Sequence, residues 1–292
     1  MNIQSLSICV PAKQCINNCK FCCSKMHPAE YEDRFSDVSK YSSFTHDMRV
    51  RMEYARENGC NTCILTGSNE PQQNREFLRV FSEINATIRT PFRNIEMQTT
   101  GAFIDEDFLD FLKYSVGLTT MAISVSCLDD NDINRDIIQT KDRNLDLRCI
   151  CKAVKKRNMN LRLCLNMSRM LLYNNPYTPK SIVDLCRDLG ADQITFRKLW
   201  APDAASEQRD WIRNNADITD FMREIKQSIR EEGTYLDTLE YGADRYDYHG
   251  FSVVVDEDCM AKEENRSAVK YLILRPNGHL YSKWDSKASL IF

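Results

Sequence analysis

Glycine is scarce in this chain, and long apolar runs are missing from it. Only nine of its 292 residues are glycine, so each one marks a place where the backbone needs conformational freedom. No stretch reaches the ~18 consecutive apolar residues of a membrane-spanning helix. The N-terminal segment, MNIQSLSICVPAK, lacks the basic start and long apolar core of a secretory signal. We therefore expect a cytoplasmic protein that does not enter the membrane.

The chain also lacks an excess of charge of either sign. It has 39 Lys+Arg against 42 Asp+Glu, a formal net charge of −3. This balance argues against a protein whose main partner is nucleic acid, because such proteins carry an excess of positive charge. With 42% hydrophobic residues the composition is typical of a globular protein. The length permits two small domains or one α/β barrel with an additional segment.

Cysteine, in contrast, is abundant, with thirteen residues in the chain. The number is odd and the expected compartment is reducing, so a disulfide framework is not expected. We expect some of these thiols to bind metal or to take part in chemistry. The others are expected to be small buried hydrophobic residues.

Strand-like and helix-like segments alternate over most of the chain. Gly59, Gly117 and Gly190 each stand at the end of a helix-like run and before a short apolar stretch. Strict alternation predicts right-handed βαβ units and a parallel sheet. We predict an α/β fold with a partial (β/α)6 TIM-like barrel, while periodicity leaves an open doubly wound sheet as the alternative. The predicted strands are Leu6–Val10, Thr62–Thr66, Asn94–Thr99, Thr119–Val125, Leu161–Asn166 and Gln193–Leu199.

The pattern changes after about residue 232. Phe251–Val255 is strand-like, and two further apolar runs flank Pro276-Asn277-Gly278, which is a strong hairpin signal. This part of the chain is also rich in tyrosine. We predict that residues 1–232 form the barrel and that residues 233–292 form a small α+β appendage that covers it.

Three cysteines follow the first predicted strand with regular spacing. Cys15, Cys19 and Cys22 form a CxxxCxxC pattern, and thiolates at this spacing can converge on one side of a loop. Such a loop suits an iron–sulfur cluster or a zinc ion. A cluster with three protein ligands keeps one iron open for a substrate or cofactor. The alternative is a zinc knuckle completed by His27 or Cys23.

This cysteine loop resembles that of the radical S-adenosylmethionine (SAM) superfamily. In that family a CxxxCxxC loop after the first barrel strand holds a [4Fe–4S] cluster, and an aromatic residue before the last cysteine lies near the adenine of SAM. The resemblance implies that Cys15, Cys19 and Cys22 are the metal ligands and that Phe21 lies near the adenine.

Segments after the later strands extend the resemblance. The sequence TGSNEP at 66–71 is similar to the family's GGEP segment, which meets the methionine amino group, although Ser68 and Asn69 depart from that pattern. Thr100 takes the place of the asparagine in the family's TNG segment. Polar residues at the carboxyl ends of parallel strands share the mouth of a barrel. The cofactor-binding residues that the resemblance implies, besides Phe21, are Gly67, Ser68, Asn69, Glu70, Thr100, Ser124, Ser126, Asn166 and Arg197.

The resemblance also implies an activity. Family members cleave SAM reductively to methionine and a 5′-deoxyadenosyl radical, which takes a hydrogen atom from a substrate. They receive the electron from a donor such as flavodoxin or ferredoxin. The resemblance does not specify the substrate, which is a nucleotide, a peptide or a small metabolite. It also does not specify the reaction class, which is that of an oxidoreductase, a lyase or a transferase. The alternative is a non-catalytic zinc- or cluster-binding interaction module.

The remaining cysteines and several polar residues need separate interpretation. Cys127 and Cys259 are the candidate hydrogen-atom donors to a product radical, although a buried or incidental role is favoured for both. Cys259 is the only cysteine after Cys186, so a second cluster in the tail is not expected. The expected packing residues are Cys60, Cys63, Cys149, Cys151, Cys164 and Cys186. The candidate substrate contacts are Arg162, Lys198, Asp129 and Asp130.

Overall fold

The computed structural model describes residues 2–26, 41–172, 178–216, 219–239, 243–257 and 268–292. Eleven strands are present in these ranges. They are β1 (Asn2–Cys9), β2 (Thr62–Thr66), β3 (Asn94–Thr99), β4 (Thr120–Val125), β5 (Asn160–Met167), β6 (Gln193–Lys198), β7 (Thr234–Thr238), β8 (Asp244–Tyr248), β9 (Phe251–Asp256), β10 (Ala268–Leu274) and β11 (Leu280–Tyr281).

Helices follow most of the first six strands. Several begin at side-chain caps that sequence alone indicates: Asp146 accepts from the Cys149 amide, and Thr178 precedes Pro179 in a capping box with Ser181. The helices are α1 (Cys23–Met26), α2 (Tyr41–Glu57), α3 (Arg75–Thr87), α4 (Glu106–Asp110), α5 (Asn131–Ile138), α6 (Leu147–Lys156), α7 (Pro179–Asp188), α8 (Glu207–Asn215) and α9 (Thr219–Glu232). None of the helices in the described ranges is long and apolar enough to span a membrane.

The strands form one mostly parallel sheet. Its order is β11-β10-β1-β2-β3-β4-β5-β6-β9-β8-β7, and the eight strands from β10 to β9 are all parallel. The α/β partial-barrel prediction is confirmed. The described residues form no backbone ladder between β9 and β10. Instead Lys270 Nζ on β10 lies 2.9 Å from Asp256 Oδ1 on β9, so an ion pair joins the two ends of the parallel set.

The last sixty residues contribute strands to both edges of this sheet. β9 pairs with β6, whereas β10 pairs with β1 and continues into the predicted hairpin with β11. Gly278 has φ +81° in the turn, where its amide donates to the Arg275 carbonyl at 2.9 Å. The hairpin is confirmed. The strands of 233–292 thus extend the barrel sheet, and the boundary at 232/233 stays a prediction.

Alternation along the strands gives the sheet two different faces. One face carries buried apolar side chains such as Leu65, Met97 and Ile123, which share a core with Phe77 and Phe81 of α3. The other face is largely polar and lines the barrel interior. Five of the six expected packing cysteines are buried: Cys60, Cys63, Cys151, Cys164 and Cys186. The prediction was wrong for Cys149, because α6 turns this side chain to solvent.

Candidate functional site

The cysteine loop joins β1 to α1 and is held against the end of α5. The Asn18 and Lys20 amides donate to the carbonyls of Ile138 at 3.1 Å and Ile137 at 2.9 Å. These carbonyls belong to the last turn of α5, where no N–H group of the helix is available to bond to them. Lys20 also pairs with Asp136 at 2.7 Å. The loop is therefore fixed at the carboxyl ends of the strands.

The three thiols of this loop influence one another electrostatically. Burial raises the pKa of Cys19 well above its usual value, and the charges of Cys22, Glu70 and Cys15 raise it further. Burial likewise raises the pKa of Cys15 and of Cys22. Metal binding needs thiolates, so in a site of this kind it is coupled to the release of protons. These residues are close enough to act as one ligand set.

The donor set of the loop, three cysteine thiols, has the chemistry of a cluster with one open iron. Within the described ranges no three His, Cys, Asp or Glu side chains gather closely enough to hold one metal ion. In a cubane cluster each cysteine binds a different iron, so its ligands stand farther apart than those of tetrahedral zinc. In the zinc alternative, His27 lies outside the described residues, and Cys23 is exposed on α1.

Gly67 begins the turn after β2 and lies against the end of β1. Its φ is +141°, and a Cβ at this position would lie 3.1 Å from the Cys9 Cα. The Val10 amide donates to the Thr66 carbonyl at 2.8 Å beside it. Only glycine allows this close backbone approach. The predicted TGSNEP turn is thereby fixed next to the cysteine loop.

Replacing Gly67 with alanine is expected to lower the free energy of unfolding by about 2–3 kcal/mol, because backbone strain and a steric clash add together. Gly250→Ala is the matched control, since Gly250 has φ +82° but nothing within 4 Å of the added Cβ. We expect Gly250→Ala to lower the free energy of unfolding by only about 1 kcal/mol. Chemical denaturation measures both. Equal losses in the two variants would contradict a specific packing role for Gly67.

Glu70 is a buried carboxylate that joins three loops. It accepts hydrogen bonds from Asn17 Nδ2 at 3.1 Å, Thr99 Oγ1 at 2.5 Å, the Thr100 amide at 3.2 Å and Gln72 Nε2 at 3.1 Å. These donors lie after β1, β2 and β3. The predicted role of Glu70 towards an ammonium group stays a prediction, but its role as a cross-link within the site is visible directly.

Two buried amide oxygens beside this network have no hydrogen-bond partner. They are Asn17 Oδ1 and Asn166 Oδ1. Asn166 donates through Nδ2 to Ser126 Oγ at 3.3 Å, which orients its amide at the end of β5. A buried acceptor without a partner is costly unless a ligand or water supplies a donor. Both oxygens suit the hydroxyl and amino groups of a polar cofactor such as SAM.

A cavity of about 220 Å³ lies at the carboxyl ends of the strands. Most of the predicted site residues line it: Cys19, Phe21, Cys22, Gly67, Asn69, Glu70, Thr100, Ser124, Asn166 and Arg197. Cys15, Ser68 and Ser126 are not in its lining, although Cys15 affects the Cys19 pKa and Ser126 holds Asn166. The structure thus brings together residues from the loops after β1, β2 and β3 and from the carboxyl ends of β4, β5 and β6.

The other candidates have different positions. Cys127 is buried outside this cavity, its Sγ donates to Asp129 Oδ1 at 3.2 Å, and burial raises its pKa to about 11. Its thiol is therefore not presented to the site. Cys259 lies outside the described residues. Asp130 caps α5, and Lys198 is exposed at the end of β6.

Sequence reasoning missed several residues of this site. Asn17 lies inside the cysteine loop, yet its spacing gives no sign that it bonds to Glu70. Trp200, Tyr271 and Trp284 form an aromatic wall of the cavity, where the last two rings are in edge contact at 6.3 Å. The aromatic tail was interpreted mainly as a cover for the barrel. The high density of tyrosine and tryptophan in this tail is the sequence feature that could have indicated a role in the site.

Several solved structures are similar to this chain in fold. A structure described as native anSMEcpe with bound AdoMet, that is SAM, matches with a TM-score of 0.59 and 14% identity, over 96% of this chain and 74% of that one. The form with AdoMet and Cp18Cys peptide matches with a TM-score of 0.55 and 12% identity, over 98% and 75%.

A further match is coproporphyrinogen III oxidase (HemN) from Escherichia coli, described as a radical SAM enzyme. Its TM-score is 0.53 at 12% identity, over 79% of this chain and 52% of that one. No protein-family model and no curated protein matches the chain. At these identities the matches show the fold alone. The chain has the fold of radical SAM enzymes, as the resemblance of its motifs implies.

Proposed function

We propose that this protein is a radical SAM enzyme that holds a [4Fe–4S] cluster on Cys15, Cys19 and Cys22 and binds SAM in the adjoining cavity. One observation carries the proposal. Two of the three cysteines, the Gly67 turn and the Glu70 carboxylate line the same cavity at the carboxyl ends of parallel strands. Binding of AdoMet by the matched anSMEcpe structures supports it.

When bound, the cluster and SAM supply reductive cleavage of the sulfonium to methionine and a 5′-deoxyadenosyl radical, which abstracts a hydrogen atom from the substrate. The protein's own residues bind and orient. Glu70 and Asn17 hold the cysteine loop against the turn after β2, and the unpartnered Asn166 amide oxygen would accept a hydrogen bond from SAM. Phe21 and Trp200 give the cavity apolar walls that exclude water.

We further propose that a flavodoxin or ferredoxin reduces the cluster. The substrate and the final reaction class are not defined by the cofactor site. Hydrogen abstraction is the first step of many different reactions. The residues that hold the cofactors therefore do not determine the final product.

Anaerobic reconstitution tests the proposal. The loaded protein should contain about four irons per chain, and with dithionite and SAM it should release methionine and 5′-deoxyadenosine, measured by liquid chromatography. A loaded protein that binds SAM without forming either product would contradict the enzymatic proposal. Colourless protein with one zinc per chain and no SAM affinity would favour the interaction module instead.

A further inference from the structure

A second cavity, the interior chamber, lies inside the barrel below the cofactor cavity. Its volume is about 290 Å³, and its walls come from strands on all sides of the barrel. Gln98, Arg197, Asp256 and Tyr271 line both spaces. A molecule in the interior chamber would therefore lie next to SAM. None of the cofactor-binding residues predicted from the sequence, apart from Arg197, belongs to it.

The walls of the interior chamber carry charged and amide side chains among apolar ones. Closed TIM barrels fill their interior mainly with branched apolar side chains. Here Arg162 Nη1 pairs with Glu96 Oε2 at 2.6 Å, and Lys270 pairs with Asp256 at 2.9 Å. Arg162 Nε also donates to Gln193 Oε1 at 2.9 Å. Buried ion pairs contribute little to stability compared with apolar packing, so this arrangement points to a binding role.

Positive charge is in excess within the interior chamber. Its described lining has four cationic side chains, Arg162, Arg197, Arg245 and Lys270, against two carboxylates, Glu96 and Asp256. A third carboxylate, Asp237, pairs with Arg245 from outside the lining. With Asp237 counted, these described side chains carry four positive and three negative charges. A cleft with low-dielectric walls and a net positive charge concentrates anions.

The size of the interior chamber restricts its occupant. About 290 Å³ lies at the lower end of the ~300–1,000 Å³ typical of small-molecule sites. The ion pair of Lys270 with Asp256 also bridges the seam between β10 and β9. A space of this size suits a small molecule better than a peptide or a nucleotide.

We propose that the interior chamber binds the substrate and that this substrate is a small anion bearing a carboxylate or phosphate group, held by Arg162. This inference rests on the proposed function, since it places the reacting molecule beside the SAM cavity. Arg162 is the cation best placed for this contact, because it lines the chamber from β5 and its side chain is 30% exposed. Glu96 shares the Arg162 guanidinium and would compete with a bound anion.

Binding of matched probes tests the inference. Equilibrium dialysis of the anaerobic, cluster-loaded protein with SAM and without reductant would compare butyrate, butyramide and butylamine, with inorganic phosphate as the second anion. We expect butyrate or phosphate to bind and the neutral and cationic isosteres not to bind. The two anions distinguish a carboxylate site from a phosphate site. Equal binding of butyrate, butyramide and butylamine would overturn the inference.

Two variants with opposite expected effects separate binding from structure. Arg162→Gln should weaken anion binding by about tenfold or more, because a charge-assisted contact is lost. Glu96→Gln should strengthen it by about threefold, because the competing carboxylate is removed. Arg89→Gln, at an exposed position, changes the net charge by the same amount as Arg162→Gln and should not change anion binding. A loss of affinity in both chamber variants would indicate a structural role and contradict the proposal.

The same preparation distinguishes this inference from the proposed function. Formation of 5′-deoxyadenosine by a protein that binds neither anion would contradict the chamber proposal alone. Anion binding by a protein that forms no 5′-deoxyadenosine would contradict the proposed function, and with it the substrate role of the chamber. Circular dichroism of each variant checks that it is folded.

Discussion

Replacing Cys19 with alanine is expected to abolish cluster binding and all 5′-deoxyadenosine formation. Cys19 is the middle one of the three proposed ligands, and its buried thiol is influenced by both Cys15 and Cys22. Two remaining cysteines cannot hold three irons of a cubane cluster. Iron content and visible absorbance after anaerobic reconstitution measure the loss. Since the loop is held by backbone hydrogen bonds to Ile137 and Ile138, the fold should survive the substitution.

Cys60→Ala is the matched control for this experiment. Cys60 is also buried, but it lies in the core before β2, where its Sγ donates to the Thr62 carbonyl at 3.3 Å. Burial raises its pKa to about 11, so it stays a protonated thiol at neutral pH. We expect a normal iron content and a loss of about 1 kcal/mol in stability. Full iron content in Cys19→Ala, or its loss in Cys60→Ala, would contradict the assignment of the ligands.

The first six strands were predictable because their signals are local. Thr62–Thr66 and Asn94–Thr99 are observed with the predicted bounds, and each is a short apolar run bounded by turn residues. Helix-capping residues and the scarce glycines define the ends of the intervening helices. Regular alternation then leaves few topologies, so a parallel barrel-like sheet follows from the pattern.

The two outer parallel strands were not predictable in the same way. The hairpin of β10 and β11 has a local turn signal, but the pairing of β10 with β1 joins residues such as Ser5 and Tyr271. The sequence around Tyr271 does not specify so distant a partner, because strand pairing depends on the packing of the whole sheet. The eight-strand parallel set and its ion-paired seam therefore appear only in the structure.

The candidate site likewise has features that depend on local sequence and features that depend on tertiary packing. The spacing of Cys15, Cys19 and Cys22 predicts the proposed cluster ligands, because all three lie in a single loop. The cross-link around Glu70 joins loops after three different strands, and the Asn17 side chain gives no sequence signal for it. The charge of the interior chamber likewise comes from strands far apart in the chain. Local motifs identify ligands, whereas tertiary packing determines how they are held.

Replacing Glu70 with glutamine is expected to lower SAM affinity by about tenfold or more and stability by about 2 kcal/mol. A carboxylate only accepts hydrogen bonds, and both Glu70 oxygens face donors from Asn17, Thr99 and Thr100. An amide would turn its NH₂ group towards at least one of these donors. The loss of a charge-assisted hydrogen bond lowers stability, and the buried donor that is left without an acceptor lowers it further. Equilibrium dialysis of SAM and chemical denaturation measure the two effects.

Two further variants show whether the Glu70 network acts as a unit. Glu76→Gln makes the same chemical change on the solvent-facing side of α3 and should alter neither SAM affinity nor stability by more than about 0.5 kcal/mol. Thr99→Ala removes one donor and keeps the carboxylate, so it should have a smaller effect than Glu70→Gln. If Glu70→Gln binds SAM as tightly as the unmodified protein, then the carboxylate does not position the cofactor site. If Thr99→Ala has the full effect of Glu70→Gln, the hydroxyl rather than the charge holds the three loops together.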